Sequence, residues 1–197
     1  MSGDLQREWE EARMLVEAGV AASARNDTAH ALRMFEQAAA SAPAWALPRF
    51  LLGSEFAAMG EWQKAESELA NAVLLDDSLH IARYQLGLLQ FTAGRVAMAL
   101  VTWQPLLARP SSDDGLSDFV QGFMALEQDD FAAARVHFGR GSSCADVNPA
   151  VAQDVQRTVA AMPASPGEAP LAAPARESQP APAHVLVANY GKTFTVH

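Results

Sequence analysis

Three histidines, three pairs of adjacent aspartates and one thiol are the side chains of residues 1–162 best suited to catalysis or metal binding. General acid–base chemistry needs titratable groups converging on one substrate bond, and a metal needs several His, Cys or carboxylate ligands converging on one point. His30, His80 and His137 fall on different expected helices at unrelated offsets and read as surface or boundary residues. Asp76-Asp77, Asp113-Asp114 and Asp129-Asp130 each stand at a turn before a helix, where carboxylates cap free backbone N–H groups. Cys144 is the single cysteine, so neither an internal disulfide nor a multi-cysteine zinc site can form. The stretch "YGKTF" contains GKT but lacks the glycine loop before it and the helix after it that a phosphate cradle requires. No enzyme is expected, and no cofactor or metal.

The net charge of −9 resides wholly in residues 1–162, because residues 163–197 carry two acids and two bases. Such a domain repels phosphate backbones and anionic lipid, so nucleic-acid and membrane-surface partners are not expected. The charged start "MSGDLQREWEEARM" has no apolar core of a secretory signal. No run reaches the roughly 18–20 apolar residues of a membrane-spanning helix, so the expected location is cytoplasmic. Arginine far outnumbers lysine, a bias of GC-rich and commonly bacterial genomes.

The elements themselves are announced by glycines. Gly19, Gly53, Gly87 and Gly122 are spaced by 34, 34 and 35 residues. Twelve positions after each stands alanine (Ala31, Ala65, Ala99, Ala134), then a large apolar residue (Phe35, Leu69, Trp103, Phe138). Three further on are Ala38, Ala72, Leu106 and Gly141. A glycine inside a helix costs roughly 1 kcal/mol relative to alanine, so four in register need a reason. Two helices joined by a tight turn approach closely only where side chains are small, and the glycine and alanine columns mark that crossing. Gly60 and Gly94 follow the packing glycine by seven residues and supply the positive φ of the turn between helices.

This pattern resembles the tetratricopeptide repeat (TPR), a helix–turn–helix unit of 34 residues, over about residues 8–146. The resemblance implies an all-α fold, a superhelix of four repeats at about 8–41, 42–75, 76–110 and 111–146. Departures are visible: Leu15, Arg49, Arg83 and Asp118 stand where the family has an aromatic residue. Pro105 lies inside the second helix of repeat 3 and should kink or shorten it. A ninth helix, 148–162, is expected as a C-terminal cap, with Asn148 as N-cap, Pro149 at its first position and Val151, Val155, Val159 and Met162 on one face. Residues 163–183 hold six of the eleven prolines and read as a disordered, flexible linker. Residues 184–197, "HVLVANYGKTFTVH", form an apolar island with Val185, Val187, Tyr190 and Phe194, a C-terminal recognition peptide suited to a short strand or hairpin.

In TPR arrays the first helices of successive repeats line a concave groove. The positions so implied include Phe50 in repeat 2, Tyr84, Leu88 and Phe91 in repeat 3, and Phe119, Phe123 and Leu126 in repeat 4. That surface would be apolar and aromatic, suited to an amphipathic helix or extended apolar peptide; the alternative is that tighter packing buries it. TPR modules that clamp chaperone carboxylates carry Lys and Asn where Val16 and Val20 stand here, so that use is not expected. The function expected is a non-catalytic adaptor or chaperone-like binder of a protein or peptide partner, its own tail included. The alternative is an accessory or scaffold subunit of an enzyme or secretion complex, recruiting its partner through 184–197.

Overall fold

The computed structural model describes residues 2–109, 115–145 and 147–162. The linker and tail assigned to 163–197, and the pair Asp113-Asp114, lie outside the described residues. Among the described residues the chain is all α, with nine helices and no strand: α1 Ser2–Ala24, α2 Thr28–Ser41, α3 Ala46–Ala58, α4 Trp62–Leu75, α5 His80–Thr92, α6 Val96–Leu107, α7 Leu116–Glu127, α8 Phe131–Ser142 and α9 Pro149–Ala160. They fall into two compact units, one within Met1–Val96 and one within Ala97–Gln179.

In the first unit α1 packs on α2, α2 on α3, α3 on α4 and α4 on α5; in the second, α7 packs on α8 and α8 on α9. Within each unit these helices lie on their neighbours in the chain, as in a helical repeat protein. The glycine columns explain how the hairpins close. A Cβ added to Gly19 would come within 2.5 Å of the Phe35 ring, one on Gly53 within 2.7 Å of Leu69, and one on Gly122 within 2.4 Å of the Phe138 ring. The glycine therefore makes room for the large side chain of the following helix, not only for the alanine. All four alanines of the next column, and Phe35, Leu69 and Trp103, are fully buried, and Phe138 is nearly so.

The turns follow one design. Asp27 N donates to Ala22 O, Glu61 N to Phe56 O, Arg95 N to Gln90 O and Asp130 N to Ala125 O. One residue earlier, Asn26, Gly60, Gly94 and Asp129 each donate to the carbonyl three residues back. This pair of bonds is the Schellman ending, with its left-handed residue at Asn26 (φ 61°), Gly60 (75°), Gly94 (78°) and Asp129 (56°). The expected role of Gly60 and Gly94 stands, and Asn26 and Asp129 fill the same column. Where the turn uses Asn or Asp, the next residue caps the second helix: Asp27 accepts from His30 N at 3.1 Å and Asp130 from Ala133 N at 2.9 Å. Glu61, after Gly60, makes no such side-chain bond.

Pro105 sits in the last turn of α6, and the helix ends two residues later. Asn148 caps α9, accepting from Ala150 N at 3.0 Å, and Pro149 opens the helix. Val151, Val155 and Met162 are buried while Val159 is half-buried. Arg135 of α8 donates to the Met162 carbonyl at 3.2 Å, tying the chain just after α9 back to α8.

Candidate protein-binding surface

The seven side chains assigned to a contact face divide between core and surface. Phe50, Tyr84, Phe119 and Phe123 are 0, 1, 0 and 5 % exposed. Phe119 is packed by the same logic as the hairpins, because a Cβ on Gly141 would meet its ring at 2.5 Å. Phe123 lies 5.9 Å from the Trp103 ring, stacked, and 5.1 Å from Phe138, edge on. All four side chains are buried, with Phe119 against α8 and Phe123 against α6 and α8. Leu88 and Phe91 on α5, and Leu126 on α7, are half-buried and keep part of their apolar surface in water. Leu88 and Phe91 are three residues apart on one helix and share a face. Val185, Val187, Tyr190 and Phe194 lie outside the described residues.

Polar side chains stitch the first helices of the first unit together. Ser23 of α1 donates to the buried carboxylate of Glu55 on α3. The Ser54 hydroxyl of α3 lies 3.0 Å from both the Phe50 carbonyl and Gln85 Oε1 of α5. Ser23 and Ser54 are both buried between helices. Neither bond was foreseen; the only trace in the sequence is a separation of 32 and 31 residues, close to one repeat.

A second set of charges takes the place of the missing aromatic column. Arg49 reaches Glu68 at 3.0 Å from α3 to α4, and Asp118 faces His137 Nδ1 at 3.3 Å from α7 to α8. Arg95, after α5, closes on Glu66 of α4 through two nitrogens at 2.8 and 2.7 Å. The Arg95 hydrogen bond, the largest influence, holds the Glu66 carboxyl below its ordinary range against the opposing effect of burial. Asp76 is held low by its hydrogen bonds with Ser78, from which it accepts both the hydroxyl at 2.6 Å and the backbone N–H at 2.9 Å. That is a turn-stabilising geometry.

Between α2, α3 and α4 lies an open cleft of about 380 Å³, with Leu52 and Phe56 among its apolar lining and Glu36, Arg49, Lys64 and Glu68 among its charges. Lys64 Nζ stands 5.5 Å from the Phe56 ring centre and 3.3 Å from Glu61. The remaining candidates for chemistry are dispersed. His30 contacts Arg33 at 3.3 Å, and Cys144 Sγ donates to the Arg140 carbonyl at 3.6 Å at the exit of α8. Among the described residues no three His, Cys, Asp or Glu side chains gather as a metal site, and no helix is long and apolar enough to cross a membrane.

No protein-family model matches this chain, and no curated protein matches it.

Proposed function

We propose that the chain is a TPR-type repeat protein that binds a protein partner without catalysing a reaction. It holds an apolar peptide or amphipathic helix against the exposed part of its first helices. The observation that carries this reading is the recurrence of one hairpin design, with glycine against a large apolar side chain and a left-handed residue seven positions on. Leu88 and Phe91 keep partly solvated apolar surface on the first helix of such a hairpin. Rigid frames of this kind present side chains to extended or helical peptides, and half-exposed apolar residues on a frame helix are where such a ligand gains most.

The test is selection of displayed random peptides on the full chain, compared with the Leu88→Ser, Phe91→Ser double variant. Enrichment of apolar or amphipathic sequences, lost in the variant while circular dichroism is unchanged, is the expected result. Enrichment of no common pattern, or of one indifferent to both substitutions, overturns the reading.

A further inference from the structure

The cleft between α2, α3 and α4 is separate from Leu88 and Phe91 and has its own charge arrangement. Arg49 and Glu68 neutralise each other, and Lys64 is engaged by Glu61 and the Phe56 ring. Glu36 is exposed and has no ion-pair partner among the described residues, so the cleft keeps one uncompensated carboxylate above an apolar floor. Its volume of about 380 Å³ suits a large side chain with a short length of backbone.

The chain itself carries a segment of matching chemistry. Residues 184–197 contain no acid, one lysine at 192, and aromatic side chains two residues to either side of it, Tyr190 and Phe194. The domain they would meet carries the whole net charge of −9. The 21 residues of 163–183 that separate them from Met162 reach about 60 Å at the extended polyproline rise. That is about three lengths of a 13-residue helix.

We propose that the cleft is the docking site of the chain's own segment 184–197. Tyr190 or Phe194 lies over Leu52 and Phe56, and Lys192 lies at Glu36. Tethering raises the local concentration of such a segment to the order of millimolar, so a contact too weak to survive between separate molecules is populated within one. A partner that needs either the cleft or the tail must then displace one from the other.

The test uses the full chain with Cys144→Ser and pairs of introduced cysteines. Ala40→Cys places a thiol on the rim of the cleft, and Ala21→Cys places one on the exposed side of α1 as a control. Each is combined with Thr193→Cys and oxidised at low protein concentration, after circular dichroism confirms the helical content of every variant. Intramolecular disulfide formation about tenfold faster from position 40 than from 21 is expected. Lys192→Glu should slow it by about twofold, and adding Glu36→Lys should restore it. Equal rates from the two positions overturn the proposal, as does indifference to the charge reversals. Disulfide-linked dimers in place of closed monomers overturn it too, since the tail would then serve a second copy. The peptide-selection experiment reads α5 alone, so either proposal can fail without the other.

Discussion

His137 Nδ1 and Asp118 Oδ1, 3.3 Å apart, occupy the same two positions of their hairpin that Arg49 and Glu68 occupy in theirs. Asp118 and Arg49 each stand four residues before the packing glycine, and His137 and Glu68 fifteen after it. In the first hairpin these positions hold Leu15 and Met34. The two positions therefore take a polar pair or two apolar side chains in these hairpins, and Arg83 with Thr102 in the third. Asp118→Leu alone should lower stability by about 1–3 kcal/mol, since it strands a part-buried His137. Asp118→Leu with His137→Met should return to within about 1 kcal/mol of the parent. Urea denaturation of the cycle decides; additive losses would show that the two residues do not act as a pair.

Glycines inside helices divide by what surrounds them. Gly122→Ala and Gly19→Ala should destabilise by about 1–3 kcal/mol although alanine is the better helix former, because the new methyl overlaps an aromatic ring. Gly139, in α8, has nothing within 4 Å of an added Cβ, and Gly139→Ala should stabilise by up to about 1 kcal/mol. Thermal unfolding of the three variants should separate them in sign.

The turn column predicts the opposite preference. Gly60→Ala places a β-carbon at φ 75° and should cost about 1 kcal/mol. Asn26→Gly and Asp129→Gly relieve that conformation and should leave stability unchanged or raise it by a few tenths of a kcal/mol. Equal losses at positions 60 and 26 would show that the turn depends on its side chain, not its backbone.

Glu66 gives a pH signature. Its carboxyl is held low in the folded chain, so the charged form favours folding. The contribution is present above the carboxyl's ordinary, unfolded value and is lost as pH falls through the lowered folded value. Arg95→Gln should raise the Glu66 titration midpoint, followed by the carboxyl carbon resonance, and flatten the acid limb of the stability curve. Added salt should shrink the difference, since both partners are partly solvated.

Burial also separates the aromatic residues that sequence reading grouped together. Phe119→Ala should cost about 3–5 kcal/mol, and Tyr84→Ala a similar amount, with loss of helicity on mild heating. Leu88→Ser and Phe91→Ser should cost clearly less, which is what qualifies them for the binding test. A Phe91 variant as unstable as Phe119→Ala would place that ring in the core.

Much of the frame was legible because the crossing of two helices leaves a signature at fixed offsets. Gly19 with Phe35, and Gly122 with Phe138, can be read from spacing alone, as can Asn148 and Pro149 at the start of α9. The turn residues Asn26 and Asp129 were equally readable, seven positions after their glycines, once positive φ is allowed to residues other than glycine. The outward face was harder. Assigning Phe119 and Phe123 to a groove needs the rotation of α7 against its neighbours, and that is set by Gly141, Trp103 and Phe138 together. The bonds from Ser23 to Glu55 and from Ser54 to Gln85 join helices that are not consecutive, and no local pattern encodes them.

Packing each helix of the first unit on the next one in the chain also has a bearing on how the protein is made. Phe35 closes over Gly19 within one hairpin, a contact that needs no residue of α3. Structures built from such local contacts fold fast, within microseconds to milliseconds, because little loop entropy must be surrendered first. Synthesis from the N-terminus can then lay down hairpins one at a time, each new pair adding to a surface already formed.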